Sequence, residues 1–241
     1  MNVNEIVRIV PTLKVNNRKL NEKFYIETLG MKPLLEESAF ISLGDQTATE
    51  RLILEESPSM RTRKVEGLKK LARLLIKVEN PSEIEALLSQ MKSLPRLLKG
   101  NRGYAFEIVS PEEDVILVHA ENDVRDLVPL ETVPEFYSNT SIKYVSQFEV
   151  SMELRLPEGT ESLLDPEGVA QAITFTKGQG ADLAVENNVT WDLTMLKFLV
   201  RNFDLTSLRQ KFEKTGYFVP KSEKFFLGKD TNNIELWFEE A

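Results

Sequence analysis

The 241-residue chain contains no cysteine. That excludes disulfide bonding, thiolate nucleophiles and zinc-thiolate sites together. Histidine occurs once, as His119, so a Ser-His-Asp mechanism uses that imidazole or does not exist. No H-E-x-x-H, G-x-S-x-G or D-[ST]-G motif is found either, and the remaining hydrolytic options are a Ser-Lys dyad, a carboxylate pair, or a serine working with His119. Long apolar runs are missing. The opening MNVNEIVRIVPTLKV has no basic stretch ahead of an apolar core, so it reads as neither a secretion signal nor a membrane span, and a cytoplasmic protein without a membrane partner is expected. Positive charge is short too: 30 Lys and Arg against 38 Asp and Glu leave a net charge of −8, which argues against nucleic acid as a partner. The basic clusters at Arg61, Arg63, Lys64, Lys69, Lys70 and at Lys221, Lys224 adjoin acids and read as solvated faces.

What is present is a repeated unit. Residues 6–15 read as a strand, with Pro11 marking an edge or a bulge. Asn16 or Asn17 caps a helix whose Leu20, Phe24, Tyr25, Thr28 and Leu29 share a face, and Gly30 ends it. Strands at KPLLEE, Ala39–Leu43 and Arg51–Glu55 complete a β-α-β-β-β module. The order returns with LARLLIKV, a helix opened by Asn80-Pro81-Ser82-Glu83 as a capping box, and strands at LPRLLKG, GYAFEIV and DVILVHAE. Residues 122–140 carry two prolines and no sustained period, and read as a linker between an N-terminal domain (1–121, modules 1–57 and 68–121) and a C-terminal domain (141–241). FEVSMELRL alternates strictly, with Val150, Met152, Leu154 and Leu156 on one face and Glu149, Ser151, Glu153 and Arg155 on the other. The helix after it is reduced, between Pro157 and Pro166. The last module runs from MLKFLVRN through an Asp204-capped helix carrying Leu205, Leu208 and Phe212, ended by Gly216, to YFVPK, KFFLG and NNIELWFEE. Phe225, Phe226, Trp237 and Phe238 read as strand core. GQGAD (178–182) reads as a turn, since it lacks the helix start of a phosphate cradle. Four such modules make an α+β protein.

LKVNNRKLNEKFYIETLGMKP and KDTNNIELWFEE resemble the first and last elements of the vicinal oxygen chelate superfamily, the glyoxalase and bleomycin-resistance fold. That resemblance covers nearly the whole chain and is weakest over 159–190. It implies tandem domains of curved mixed sheets built from paired βαβββ modules, each sheet wrapping a cavity. Over its full length the chain also resembles the streptococcal CppA family, described as proteinases that degrade complement component C3. C3 is therefore the protein partner, and hydrolase the activity, that this likeness implies.

In metal-using members of the superfamily, ligands come from the first strands of paired modules and from the last strand. Here those positions fall near Val10, Arg73 and Leu117 in the first pair and Ser151, Met195 and Glu235 in the second. Only Glu235 suits a divalent cation, so a metal requires Glu149 and Glu153 to converge with it. No cofactor is expected, a divalent metal being disfavoured. His119 is a candidate general base because it has no competitor. Arg73, Lys77, Glu149, Ser151, Glu153 and Arg155 are the candidate ligand-binding residues of a metal-free small-molecule site. A C3-degrading proteinase, a binder of a small molecule and a non-catalytic scaffold stay open, as do module pairing within one chain and pairing across a homodimer.

Overall fold

The computed structural model describes residues 4–57, 61–132, 134–137, 141–164 and 166–241, with 166 and 167 described by their backbone only. The first module is β1 (Glu5–Val15), α1 (Arg18–Lys23), β2 (Lys32–Glu37), β3 (Phe40–Gly44) and β4 (Glu50–Glu56). The second is β5 (Leu71–Val78), α2 (Ser82–Gln90), β6 (Arg96–Lys99), β7 (Tyr104–Val109) and β8 (Val115–His119). A short β9 (Val128–Pro129) follows. The third module keeps only β10 (Phe148–Pro157), α3 (Pro166–Val169) and β11 (Ile173–Gly178). The fourth is β12 (Leu193–Arg201), α4 (Leu205–Lys211), β13 (Tyr217–Phe218), β14 (Phe225–Lys229) and β15 (Glu235–Glu240). Among the described residues no helix is long and apolar enough to cross a membrane.

Two curved mixed sheets result, and their composition differs from the expected grouping. The eight-stranded sheet runs β13-β14-β15-β12-β1-β4-β3-β2, joining the fourth module to the first. The seven-stranded sheet runs β11-β10-β5-β8-β7-β6-β9, joining the third to the second. Strand pairing therefore crosses the boundary drawn after residue 121, and one buried apolar cluster draws side chains from both sheets. The physical reason is that a strand's alternation specifies which face it buries and leaves its partner open.

Local signals explain most elements. Asn17 Oδ1 accepts the Leu20 N–H at 3.0 Å as the first helix cap, and Asp204 accepts from Thr206 and Ser207 at 3.1 and 3.2 Å. Gly30 takes φ +67°, the left-handed C′ position that favours glycine. Its carbonyl accepts the Val145 N–H at 2.8 Å, which ties the first module to the approach to β10. The first helix passes into a π-turn at Phe24–Thr28. That widens the turn, so Asn21, Tyr25 and Leu29 are buried while Leu20 is exposed, contrary to the regular face.

Pro11 lies within an inner strand. It comes just before the β1–β4 ladder begins at Thr12 and beside the bulge at Thr12 and Leu13. Glu83 does not close a capping box: its carboxylate accepts the Ser146 N–H and hydroxyl at 3.1 and 2.9 Å. On β10 the expected apolar face, Val150, Met152, Leu154 and Leu156, is buried. Phe226 and Phe238 are core, whereas Phe225 and Trp237 stack on the opposite face with centroids 3.8 Å apart. Val133 and residues 138–140 of the expected linker lie outside the described residues. Its earlier part forms a 3₁₀ turn at Val124–Asp126 and then β9, paired with β6.

The two sheets are pinned together by Asp192, just ahead of β12. Its buried carboxylate accepts the main-chain N–H groups of Lys70, Leu71 and Leu193 at 2.6, 3.1 and 2.8 Å. Lys70 is also buried, sends Nζ to the Val185 carbonyl at 2.8 Å, and is held by burial at a pKa of about 8. Truncating Asp192 strands three donors away from water, each costing about 1–3 kcal/mol. Asp192→Ala is expected to lose about 3 kcal/mol or more in urea unfolding, and a loss below about 1 kcal/mol contradicts this role.

Candidate functional site

Each sheet is curved, and the face away from the helices forms a cup. In the seven-stranded sheet that face carries alternate residues of its central strands. Lys77 on β5 pairs in register with His119 on β8 and Glu149 on β10. Leu75 lies between Leu117 and Ser151 in the next row, and Arg73 faces Glu153 in the third. Neighbouring strands stand about 4.8 Å apart, so these rows set imidazole, ammonium and carboxylate side by side. Of these, Leu75, Lys77, His119, Glu149, Ser151 and Glu153 line a cavity of about 580 Å³, bounded also by Asn122–Arg125 and by Ala170–Ala172 and Thr174. Val124 and Leu127 roof an apolar patch of Leu75, Leu98, Ala105 and Leu117 beside it.

Most charges here are already closed. Arg73 pairs with Glu153 at 2.5 Å and Arg125 with Asp123 at 2.5 Å. Glu121 turns to the Arg102 N–H at 2.5 Å. Lys77 Nζ donates to Asn122 Oδ1 at 3.0 Å and has no carboxylate partner among the described residues. His119 is buried and its Nδ1 has no hydrogen-bond partner. Burial, then the charge of Lys77, pull its pKa down to about 4 against a backbone hydrogen bond at Glu121 that raises it, with Arg73 adding to the fall. The ring is therefore neutral at pH 7.

The candidate residues are thus partly brought together. His119, Lys77, Glu149, Ser151 and Glu153 line one cavity, and Arg73 reaches it through Glu153. Arg155 does not: its Nη1 donates to the Lys69 carbonyl at 2.8 Å, and its stem lies against Gly178. Glu235 is on the other sheet, so it cannot converge with Glu149 and Glu153 on one ion, because the modules carrying them belong to different sheets. Asn122, Asp123, Arg125, Gln171 and Thr174 were not legible as site residues. The sole local signal was the Asx-turn chemistry of NDVR, in which Asp123 accepts the Arg125 N–H at 2.9 Å.

The eight-stranded cup closes its charges on itself. Lys14 Nζ lies 3.5 Å from Glu55 and donates to the Asn187 carbonyl at 2.9 Å. Lys197 bridges Glu50 and Glu239 at 3.1 and 3.0 Å. Burial, then the neighbouring Glu55, raise the pKa of Glu235, with Lys14 opposing. Across these strands the row reads Ile53, Thr12, Met195, Glu235. One carboxylate beside a buried lysine does not fit a divalent cation, which takes several oxygen ligands. In the other cup Leu117 and Arg73 fit no better. Among the described residues no group of three or more His, Asp or Glu is placed to hold a metal. A separate hollow of about 390 Å³ lies against Leu35, Phe40, Ile53 and Met195.

Residues 8–130 match the family model described as CppA N-terminal, and residues 145–238 that described as CppA C-terminal. The CppA protein of Streptococcus pneumoniae TIGR4 is 65% identical and superposes with a TM-score of 0.97, over 99% of this chain and 100% of that one. A proposed dioxygenase from Bacillus subtilis subsp. subtilis str. 168 is 10% identical, with a TM-score of 0.59 over 99% of this chain and 86% of its own. A glyoxalase I variant from Zea mays is 12% identical, with a TM-score of 0.57 over 97% and 93%. The last two likenesses establish the fold, tandem curved sheets of the glyoxalase and dioxygenase type. No curated protein matches the chain.

The depressed His119 has a thermodynamic signature. Between pH 6.5 and about 4 the unfolded chain binds a proton at this ring and the folded chain does not. Its contribution therefore makes stability rise with pH across that window, by on the order of 3 kcal/mol in full. Replacing it, as in His119→Asn, is expected to flatten the pH dependence of unfolding free energy between pH 4 and 6.5. An unchanged slope, or an NMR pKa for His119 at or above 6.5, contradicts the assignment.

Proposed function

Because the chain belongs to the CppA family and has the glyoxalase-type fold, we propose that it binds a small polar molecule in the seven-stranded cup, without a chelated metal. The observation that carries this reading is the contrast between the two cups. In one, lysines and carboxylates satisfy each other around Lys14 and Lys197. In the other, the sole histidine, a lysine without a carboxylate partner and polar side chains from β10 surround a cavity of about 580 Å³, a volume ordinary for small-molecule sites.

The C3-degrading activity associated with the family name asks more of His119 than this geometry supplies. A general base in a serine mechanism needs one ring nitrogen on the nucleophile and the other oriented by a partner. Here Nδ1 is unpartnered and the ring's hydrogen bond is to the backbone at Glu121. With a pKa of about 4, the ring is also a weak base at neutral pH. In this reading the imidazole recognises the ligand rather than performing hydrolysis.

Binding to the folded state alone stabilises by about 2.7 kcal/mol at a hundredfold excess over Kd. A screen of small metabolites by thermal unfolding is expected to yield compounds that raise the Tm of the wild type and raise it much less in Lys77→Met. In parallel, the homogeneous protein incubated with purified C3 is expected to leave it intact, as is His119→Ala. Cleavage by the wild type alone replaces this reading with an unfamiliar protease centred on His119.

A further inference from the structure

The charges left open in the seven-stranded cup have a definite pattern. Of its four carboxylates, Glu153 is closed by Arg73, Asp123 by Arg125 and Glu121 by a main-chain N–H. Glu149 has no partner among the described residues. Of its cations, Lys77 alone lacks a carboxylate among the described residues.

Lys77 and Glu149 are register partners on adjacent strands, yet they do not pair. Asn122 Oδ1 draws the Lys77 ammonium toward the residue 122–125 wall, while Glu149 is exposed. One row along from the open charges the floor is the apolar Leu75, with Ser151 opposite it. An unpaired cation and an unpaired anion on adjacent strands of one cavity complement a ligand carrying both charges close together. A simple acid leaves Glu149 facing it unpaired, and a simple amine leaves Lys77 so.

We propose that the ligand of this cup is a small zwitterion of the amino-acid type, its carboxylate held by Lys77 and its ammonium by Glu149, with an apolar side chain over Leu75. The inference rests on the reading of the cup as a small-molecule site and adds the chemical class of its occupant.

His119 provides the readout, because a protein with one histidine gives unambiguous imidazole resonances. Three probes of similar skeleton separate the charges: L-leucine, 4-methylpentanoate without the amine, and 3-methylbutylamine without the carboxylate. In ¹⁵N-histidine-labelled protein, L-leucine is expected to shift the His119 signals saturably, and each analogue to bind about tenfold or more weakly, the loss typical of one charge-assisted contact. Lys77→Met should bring leucine down to the level of the amine, and Glu149→Gln to that of the acid, with thermal unfolding of both variants confirming that they fold. Either analogue binding as tightly as leucine overturns the proposal, and so does retention of leucine affinity in both folded variants. If no probe moves His119 but another compound from the metabolite screen does, the zwitterion assignment fails and the site stands. If nothing moves it, both fail.

Discussion

The structure depends on two antiparallel seams between modules far apart in sequence, β1 with β12 and β5 with β10. The first seam is the central pair of the eight-stranded sheet, the second lies one strand in from the β11 edge of the seven-stranded sheet, and the other strands are added outward from each. Asp192 holds the seams together: it sits at the start of β12 and takes N–H groups from the start of β5. A buried carboxylate is expensive to desolvate, and burial raises its pKa here. It is tolerated because three main-chain donors replace its water.

That pairing determines what each cup contains. In the eight-stranded sheet both modules are complete, and charged side chains from four central strands meet across the floor, where Lys14 and Lys197 neutralise the surrounding glutamates. In the seven-stranded sheet the third module has only β10, α3 and β11. The segment after β8 lies over the second module, where Val124 and Leu127 cover apolar floor while Asn122–Arg125 face the cavity.

The same architecture in a glyoxalase I and in a proposed dioxygenase says little about chemistry here, because function resides in the side chains placed on a fold. Of the positions that the superfamily resemblance marks for chelating groups, Val10, Arg73, Leu117, Ser151, Met195 and Glu235, only Glu235 is a carboxylate, and it lies on a different sheet from Glu149 and Glu153. In the seven-stranded cup, hydrogen-bonding groups surround a neutral imidazole. Its neutrality is set by burial and by the positive charge of Lys77, so the local field favours an acceptor or donor role over proton transfer at neutral pH.

Much of the fold was legible. Alternation on β10, the Asn17 and Asp204 caps, and the glycines at 30 and 216 mark the modules, because these signals act within one helical turn or one strand. Glu149, Ser151 and Glu153 could be assigned to one face by period alone. The π-turn after α1 was not legible, and it changed which helical residues are buried. Glu83 looked like a capping residue and serves Ser146 instead, since a distant main-chain donor competes with the local one. By itself, then, the sequence determined the repeated α+β module, the faces of its strands, and the absence of thiol chemistry. Only the tertiary structure decided that the first module pairs with the fourth and the second with the third. That choice separates Glu235 from Glu149 and Glu153 and brings His119, Lys77 and Glu149 into one row. The physical reason is that alternation records how a strand meets water and core, while the identity of its neighbour depends on non-local contacts among modules whose patterns are nearly alike.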